Sequence, residues 1–530
     1  MAEVVYPECF DDLFIVEETQ KRDAEEPAQD PTFPLLELPG PAFDAVLRFL
    51  WYRDKIRLGA TSSAVMARVL GSGSRHRWHG RSSASIDVLR RIAAAARTAP
   101  LTPAAAGEVA LHGAAVRLTD VQPFCDVLDG ASPAAGVAPR PSIAQELATH
   151  GLADRLVRLD VRGSKITHLP EDLRGLLELD VSGCNRLAAD FLPETSGACV
   201  RVLAAERSAL HAVPAHVAPT ELLVAGCQHL SPDAVVPPES SKHLRKLDAT
   251  GSNVFRVPEG LRALEHLRLS RCWKLAAVDF LPRSSTDNIV VLDVSETPVQ
   301  RLPEGLSRLA DLSLALCDDL APDSYLPASS RAAVRCLNLD GSTAACVPGD
   351  MPALEQIDAV GCRDLRTDTW LAESSVRCVR TIAATMSTIA RVPPGAAALE
   401  RLTVDNCAGL DPERWLPESS ARRINVLSAN ESPIARLPPN MECLEELHVQ
   451  YCENLTQDDW FLPESSASNI RMLFATESAV RRLPPGMRRL EHLDVTNCWD
   501  LDEDGDWLPA SSRGSLQHVY LPYVPESGLV

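Results

Sequence analysis

Eight cysteines recur through the last two thirds of a 530-residue chain: Cys184, Cys227, Cys272, Cys317, Cys362, Cys407, Cys452 and Cys498, at steps of 43, 45, 45, 45, 45, 45 and 46 residues. A thiol can act as a nucleophile, ligate a metal or close a disulfide, and each use needs partners at its own spacing. No zinc spacing, nucleotide loop or Ser/His/Asp arrangement accompanies these cysteines. Two local patterns invite a chemical reading. Cys498-Trp499-Asp500 pairs a thiol with a carboxylate, and Asp500, Asp502, Asp504, Gly505 and Asp506 imitate the start of a calcium loop. The loop fails at its twelfth position, which is Ser511 where a bidentate Glu is required. No metal or other cofactor is expected.

The elements that carry these residues explain the spacing better. Leu187, Leu230, Leu275, Leu320, Leu365, Leu410, Leu455 and Leu501 each stand three residues beyond a cysteine. Halfway between, the same position is held by Ser164, Ser208, Ser252, Thr297, Ser342, Ser387, Ser432 and Ser478, each followed by an L/V-Pro pair. The stretch from Leu264 to Arg308 is one such tile, and it contains two short leucine-rich coils. A coil of this length cannot bury its leucines alone, so the pattern implies a solenoid, each coil adding one parallel strand to its neighbour. The turn leaving each strand brings backbone groups inward, and Cys alternating with Ser or Thr supplies small polar partners there. The cysteines are therefore structural. Successive ladder cysteines lie two coils apart, about 9 to 10 Å at strand spacing and beyond disulfide reach, which fits a reducing compartment. Sixteen coils and a terminal strand at 516–521 are expected.

Charge excludes some partners. The net charge is −20, whereas phosphate binding needs a basic face, so neither nucleic acid nor an anionic membrane is expected to bind. Residues 1–34 show neither a basic leader nor an apolar run, and no 18-residue apolar span occurs. Lysine ends at Lys274 among 52 basic residues. GC-rich codon usage would produce this bias, and so would avoidance of modification beside a ubiquitin-charged enzyme.

Along the chain, residues 1–34 form an acidic, Pro-containing leader expected to be disordered. Residues 35–75 change character: Leu38-Pro39 opens a helix with Phe43, Val46, Leu47 and Leu50 on one face, and Asp54 and Ser62 or Ser63 can cap two more. Residues 76–150 form a helical spacer, with helices at 85–97 and about 104–117, and a linker GASPAAGVAPRPS. The coils occupy 151–522 and a tail follows at 523–530. The fold class is α/β: a leucine-rich-repeat solenoid of parallel strands, a horseshoe, preceded by a small all-α unit. Several coils return through an LP-x-SS segment, where the serines are expected to cap a short helical turn, and Trp370, Trp415, Trp460 and Trp507 stand just before it as core staples.

The helical unit resembles an F-box, with Leu38, Pro39, Val46, Leu47, Leu50, Asp54, Ile56, Arg57 and Leu58 in the places of that pattern. The resemblance implies that Leu38, Pro39, Val46, Leu47, Leu50, Ile56 and Leu58 bind the Skp-type adaptor of a cullin ubiquitin ligase. Gly40-Pro41, Gly59 and Ala60 depart from the pattern. An F-box before leucine-rich repeats, with LPEGL-type coils, resembles type III effectors of plant-pathogenic bacteria, although the GAxALA signature of one such group is missing. That likeness implies a non-catalytic substrate receptor, secreted into the host cytoplasm or nucleus and monomeric outside the complex. Cys498-Trp499-Asp500 resembles the Cys-x-Asp of bacterial novel ubiquitin ligases, but Cys498 is the eighth ladder cysteine. On the strand face, Arg401, His448, Gln450, Tyr451 and Phe474 are the candidates for contacting a host target protein, since exposed aromatics anchor interfaces. A scaffold with no ubiquitin role is the alternative.

Overall fold

Three-residue strands repeat down the chain because the apolar positions allow nothing longer: a single buried leucine, isoleucine or valine is flanked by two residues that face solvent. The computed structural model describes residues 117–118, 158–163, 166–171, 173–231, 235–236, 241–455, 461–501 and 507–521. Within them one parallel sheet of eighteen strands runs from Arg117–Leu118 through Arg158–Asp160 to His518–Tyr520. Each strand pairs with the next in sequence, and leucine faces leucine in register, as Leu402 does Leu427 and Leu427 does Leu447. From Arg158 onward there are sixteen coils and a terminal strand, as the cysteine and serine spacing requires. Arg117 pairs with Arg158, so it lies in a strand where the second spacer helix was expected to end. The F-box-like segment, the leader, the linker, Trp460 and Asp502 to Asp506 lie outside the described residues.

The ladder cysteines are buried, and all are free thiols. Each donates its S–H to a carbonyl of the coil before it: Cys184 to Val161, Cys227 to Ala205, Cys272 to Ala249, Cys317 to Val294, Cys362 to Leu339, Cys407 to Ala384, Cys452 to Ala429 and Cys498 to Ala475, at 2.8–3.2 Å. The alternate ladder reaches back in the same way at Ser252, whose hydroxyl bonds Val224 O at 2.6 Å, and at Ser432, which bonds Val404 O at 2.8 Å. Burial pushes the thiols up, to about 11 at Cys272, Cys362 and Cys498 and about 12 at Cys452, against an ordinary value near 9.

The LP-x-SS serines correct the sequence expectation. Their helical turns, such as Arg283–Ser285 and Glu418–Ala421, carry no side-chain cap; the residue ahead of each is Pro282 or Pro417. The second serine instead turns away from its own helix into the preceding coil. Ser420 donates to Pro393 O at 2.8 Å and accepts the N–H of Ala396 at 3.1 Å. Ser196, Ser285, Ser330, Ser375 and Ser466 do the same to Leu173, Leu261, Leu306, Met351 and Met441, with a proline carbonyl as the second partner each time. The first serine of the pair is exposed and accepts one further N–H, as Ser419 does from Gly395 at 3.3 Å. A serine-type coil, with its L/V-Pro turn, is thus tied to the cysteine-type coil that follows it. Trp370 and Trp415 are fully buried and bond Arg391 O and Arg436 O through the indole N–H, while Trp507 is partly buried.

Every coil also turns at one residue with positive φ just before its ladder position. Six are glycine, from Gly163 to Gly361, and ten are not, among them Leu316, Met386 and Tyr451 at 54°, 56° and 57°. No described helix is long and apolar enough to cross a membrane.

Candidate protein-binding surface

The solvent face of the sheet carries two columns of side chains, the first and third residues of every strand. Their character changes along the stack. In the early and middle coils the third column is acidic: Asp160, Asp180, Asp248, Asp293 and Asp358. Asp160 is not presented to solvent as expected, because Arg162 lies across it with both guanidinium contacts at 3.0 Å and also reaches Asp180 at 3.4 Å. Arg268 faces Asp248 at 3.9 Å. A depression of about 370 Å³ lies over the middle coils, lined by Asp248, Arg268, Asp293, Asp311, Cys336 and Asp358. Partial burial raises the Asp358 carboxyl and the neighbouring Asp340, the latter also repelled by Asp358. No group of three or more His, Cys, Asp or Glu among the described residues is arranged to hold a metal ion.

Toward the last coils the acids give way to rings. His448 and Phe474 occupy the third position of adjacent strands and stack nearly parallel, 4.5 Å between centroids and 12° between planes. His448 is held from its other side by Glu446, whose Oε1 lies 2.7 Å from Nε2. His492 continues the row at 4.9 Å from Phe474, and His518 and Tyr520 follow at 5.6 and 5.5 Å from His492. Five rings on four successive strands form one strip. Tyr520 is 52% exposed, so the strip is open to a partner.

Of the five residues expected to contact a target, His448 and Phe474 belong to this strip. Gln450 lies beside it, its amide N–H on Asn430 Oδ1 at 2.8 Å and its side chain 3.3 Å from Thr476 Oγ1. Tyr451 is exposed, yet it stands in the positive-φ turn beyond the strand and makes no ring contact with the strip among the described residues. Arg401 is exposed at the first position of its strand, two strands before His448, between Thr381 and Val426. His492, His518 and Tyr520 were missed because only the residue between paired leucines was followed. The residue before each leucine is the second outward column, and reading it would have found both histidines.

Cys498 cannot serve as a nucleophile from its place in the ladder. It is 1% exposed, donates to Ala475 O at 2.8 Å, and its thiol is pushed up to about 11.

No protein-family model and no curated protein matches the chain. Among solved structures it is similar to YopM from Yersinia enterocolitica, at 20% identity over 68% of this chain and 79% of that one, with a TM-score of 0.46. The functional domain of InlJ from Listeria monocytogenes, which includes a cysteine ladder, is 15% identical over 65% and 75%, with a TM-score of 0.42. A chain of the Toll–Spatzle complex of Drosophila is 14% identical over 78% of this chain and 58% of that one, with a TM-score of 0.53. The likeness is one of fold. The chain is a leucine-rich-repeat-type solenoid.

Proposed function

We propose that this chain is a protein-binding scaffold whose sheet face captures a target through the ring strip of its last coils. The observation that carries the reading is the strip itself: His448, Phe474, His492, His518 and Tyr520 on adjacent strands, where a solenoid needs only polar residues for solubility. Rigid aromatic side chains on a fixed backbone anchor interfaces because they bury large area at little entropic cost.

The finer reading makes the chain a substrate receptor: Leu38, Pro39, Val46, Leu47, Leu50, Ile56 and Leu58 dock onto a host Skp-type adaptor, and the coils present a host protein for ubiquitination. Its support is the F-box-like sequence and the LPEGL-type coils, which also suggest delivery from a bacterium into a host cell. Adaptor-coated beads should retain the full chain, and Leu47→Asp with Leu50→Asp should abolish retention. Equal retention of both proteins, or of neither, would remove the ubiquitin role and leave the scaffold. Co-purification from plant cell extract with Phe474→Asp as the comparison tests the target face, since that variant should keep the adaptor and lose the target.

A further inference from the structure

The ring strip contains a carboxylate placed as a counter-ion. Asp494 pairs in register with Phe474 on one side and with Tyr520 on the other, so the third column reads ring, carboxylate, ring over three consecutive strands. His492, one residue along the Asp494 strand from its leucine, contacts both flanking rings. Asp494 Oδ1 accepts the N–H of Thr496 at 3.0 Å. Asp160, Asp180 and Asp248 each face an arginine, whereas Asp494 has no ion pair among the described residues. Two ring faces about one carboxylate are the chemistry that receives a cation: the rings attract it through their quadrupoles and the acid neutralises it.

We infer that the target inserts an arginine side chain between Phe474 and Tyr520 onto Asp494. The inference rests on the reading that this face binds a protein. A planar guanidinium fits better than an ammonium, since it can stack on a ring and offer two N–H groups to a carboxylate at once. Charge complementarity extends beyond this point. The sheet face continues into the acidic column, and the chain as a whole carries −20, so an extended segment with basic residues at alternate positions would meet opposite charge along its length. The same acidic field disfavours nucleic acid, which could otherwise stack its bases on the rings.

The test uses the full-length protein at pH 8, where imidazoles carry little charge, and two fluorescein-labelled peptides read by anisotropy. One is Ser-Arg-Ser-Arg-Ser-Arg-Ser; the other replaces each arginine with citrulline, which keeps the shape and removes the charge. The arginine peptide should bind about tenfold more tightly, and Asp494→Asn should remove about tenfold of its affinity. Tyr520→Phe should bind as the parent does, while Tyr520→Leu should weaken binding about two- to fivefold. Asp248→Asn controls for general charge and should change little. If Asp494→Asn and Asp248→Asn weaken binding equally, the peptide is reading net charge and the site is overturned. Equal binding of the two peptides overturns the cation preference but leaves protein docking at this face standing. No binding of either peptide overturns both.

Discussion

Ser420 and Ser419 are adjacent, chemically identical and both hydrogen-bonded to the same turn of the preceding coil, yet the structure assigns them very different energetic roles. Ser420 is fully buried; its hydroxyl donates to Pro393 O at 2.8 Å and accepts from Ala396 at 3.1 Å. Alanine at this position removes one oxygen and strands two buried backbone groups, each costing about 1–3 kcal/mol, for a total of about 2–5 kcal/mol. Ser419 is exposed and accepts a single N–H from Gly395 at 3.3 Å. Water can replace it there, so Ser419→Ala should cost about 0.5 kcal/mol or less. Each coil of a solenoid contacts only its neighbours, so the loss should be local. Native-state hydrogen exchange read by mass spectrometry is the suitable assay. The peptide spanning 392–400 should exchange at least about thirtyfold faster in Ser420→Ala, with peptides near Leu203 unchanged. If the two alanine variants exchange alike, the serine tie between coils is not what holds the turn, and the account of the LP-x-SS motif fails.

Other outcomes follow from the same geometry. Iodoacetamide at pH 8 should label the exposed Cys199, Cys378 and Cys443 in the native protein and leave the eight ladder cysteines unlabelled until denaturant is added, as read by peptide mass. Because the ladder thiols have folded values raised to about 11 or 12 at Cys272, Cys362, Cys452 and Cys498, the unfolded chain ionises first as pH rises. Their contribution to stability is complete below about pH 9 and falls from there through pH 11 to 12, so urea midpoints should drop over that window; a flat profile would contradict it. Gly341→Ala should cost about 1–2 kcal/mol from its φ of 61°, plus the displacement of Leu316, whose Cδ2 would lie 2.5 Å from the new Cβ. Adding Leu316→Ala should recover only the second part in a urea titration. Trp415→Ala should lose about 3–5 kcal/mol by the same measurement, through an unfilled cavity and the lost indole bond to Arg436 O.

The sequence made the coil count and register legible because one buried residue per strand repeats against a fixed polar mark. Leu402, Leu427 and Leu447 could be aligned from Cys407, Ser432 and Cys452 without knowing any contact. The partners of those marks were not legible. Ser420 was expected to cap the turn it begins, yet its bonds run to residues 24 and 27 positions earlier. Periodicity says that a serine recurs; it does not say which neighbouring coil it faces. The surface was half legible for a related reason. His448 and Phe474 stand between apolar residues and stood out, whereas His492 and His518 precede the leucine. Tyr451 looked like a strand neighbour, but the backbone has already turned at that residue.

The one-way tie from each cysteine-type coil to the serine-type coil before it sets the parity of the array. Removing a single coil would bring two like coils together, leaving either a proline turn with no hydroxyl behind it or a pair of serines with nothing to grip. Removing or duplicating two at once restores every bond. A lineage of such proteins can therefore change length by whole pairs, and the reach of its grasp grows in steps of about 45 residues.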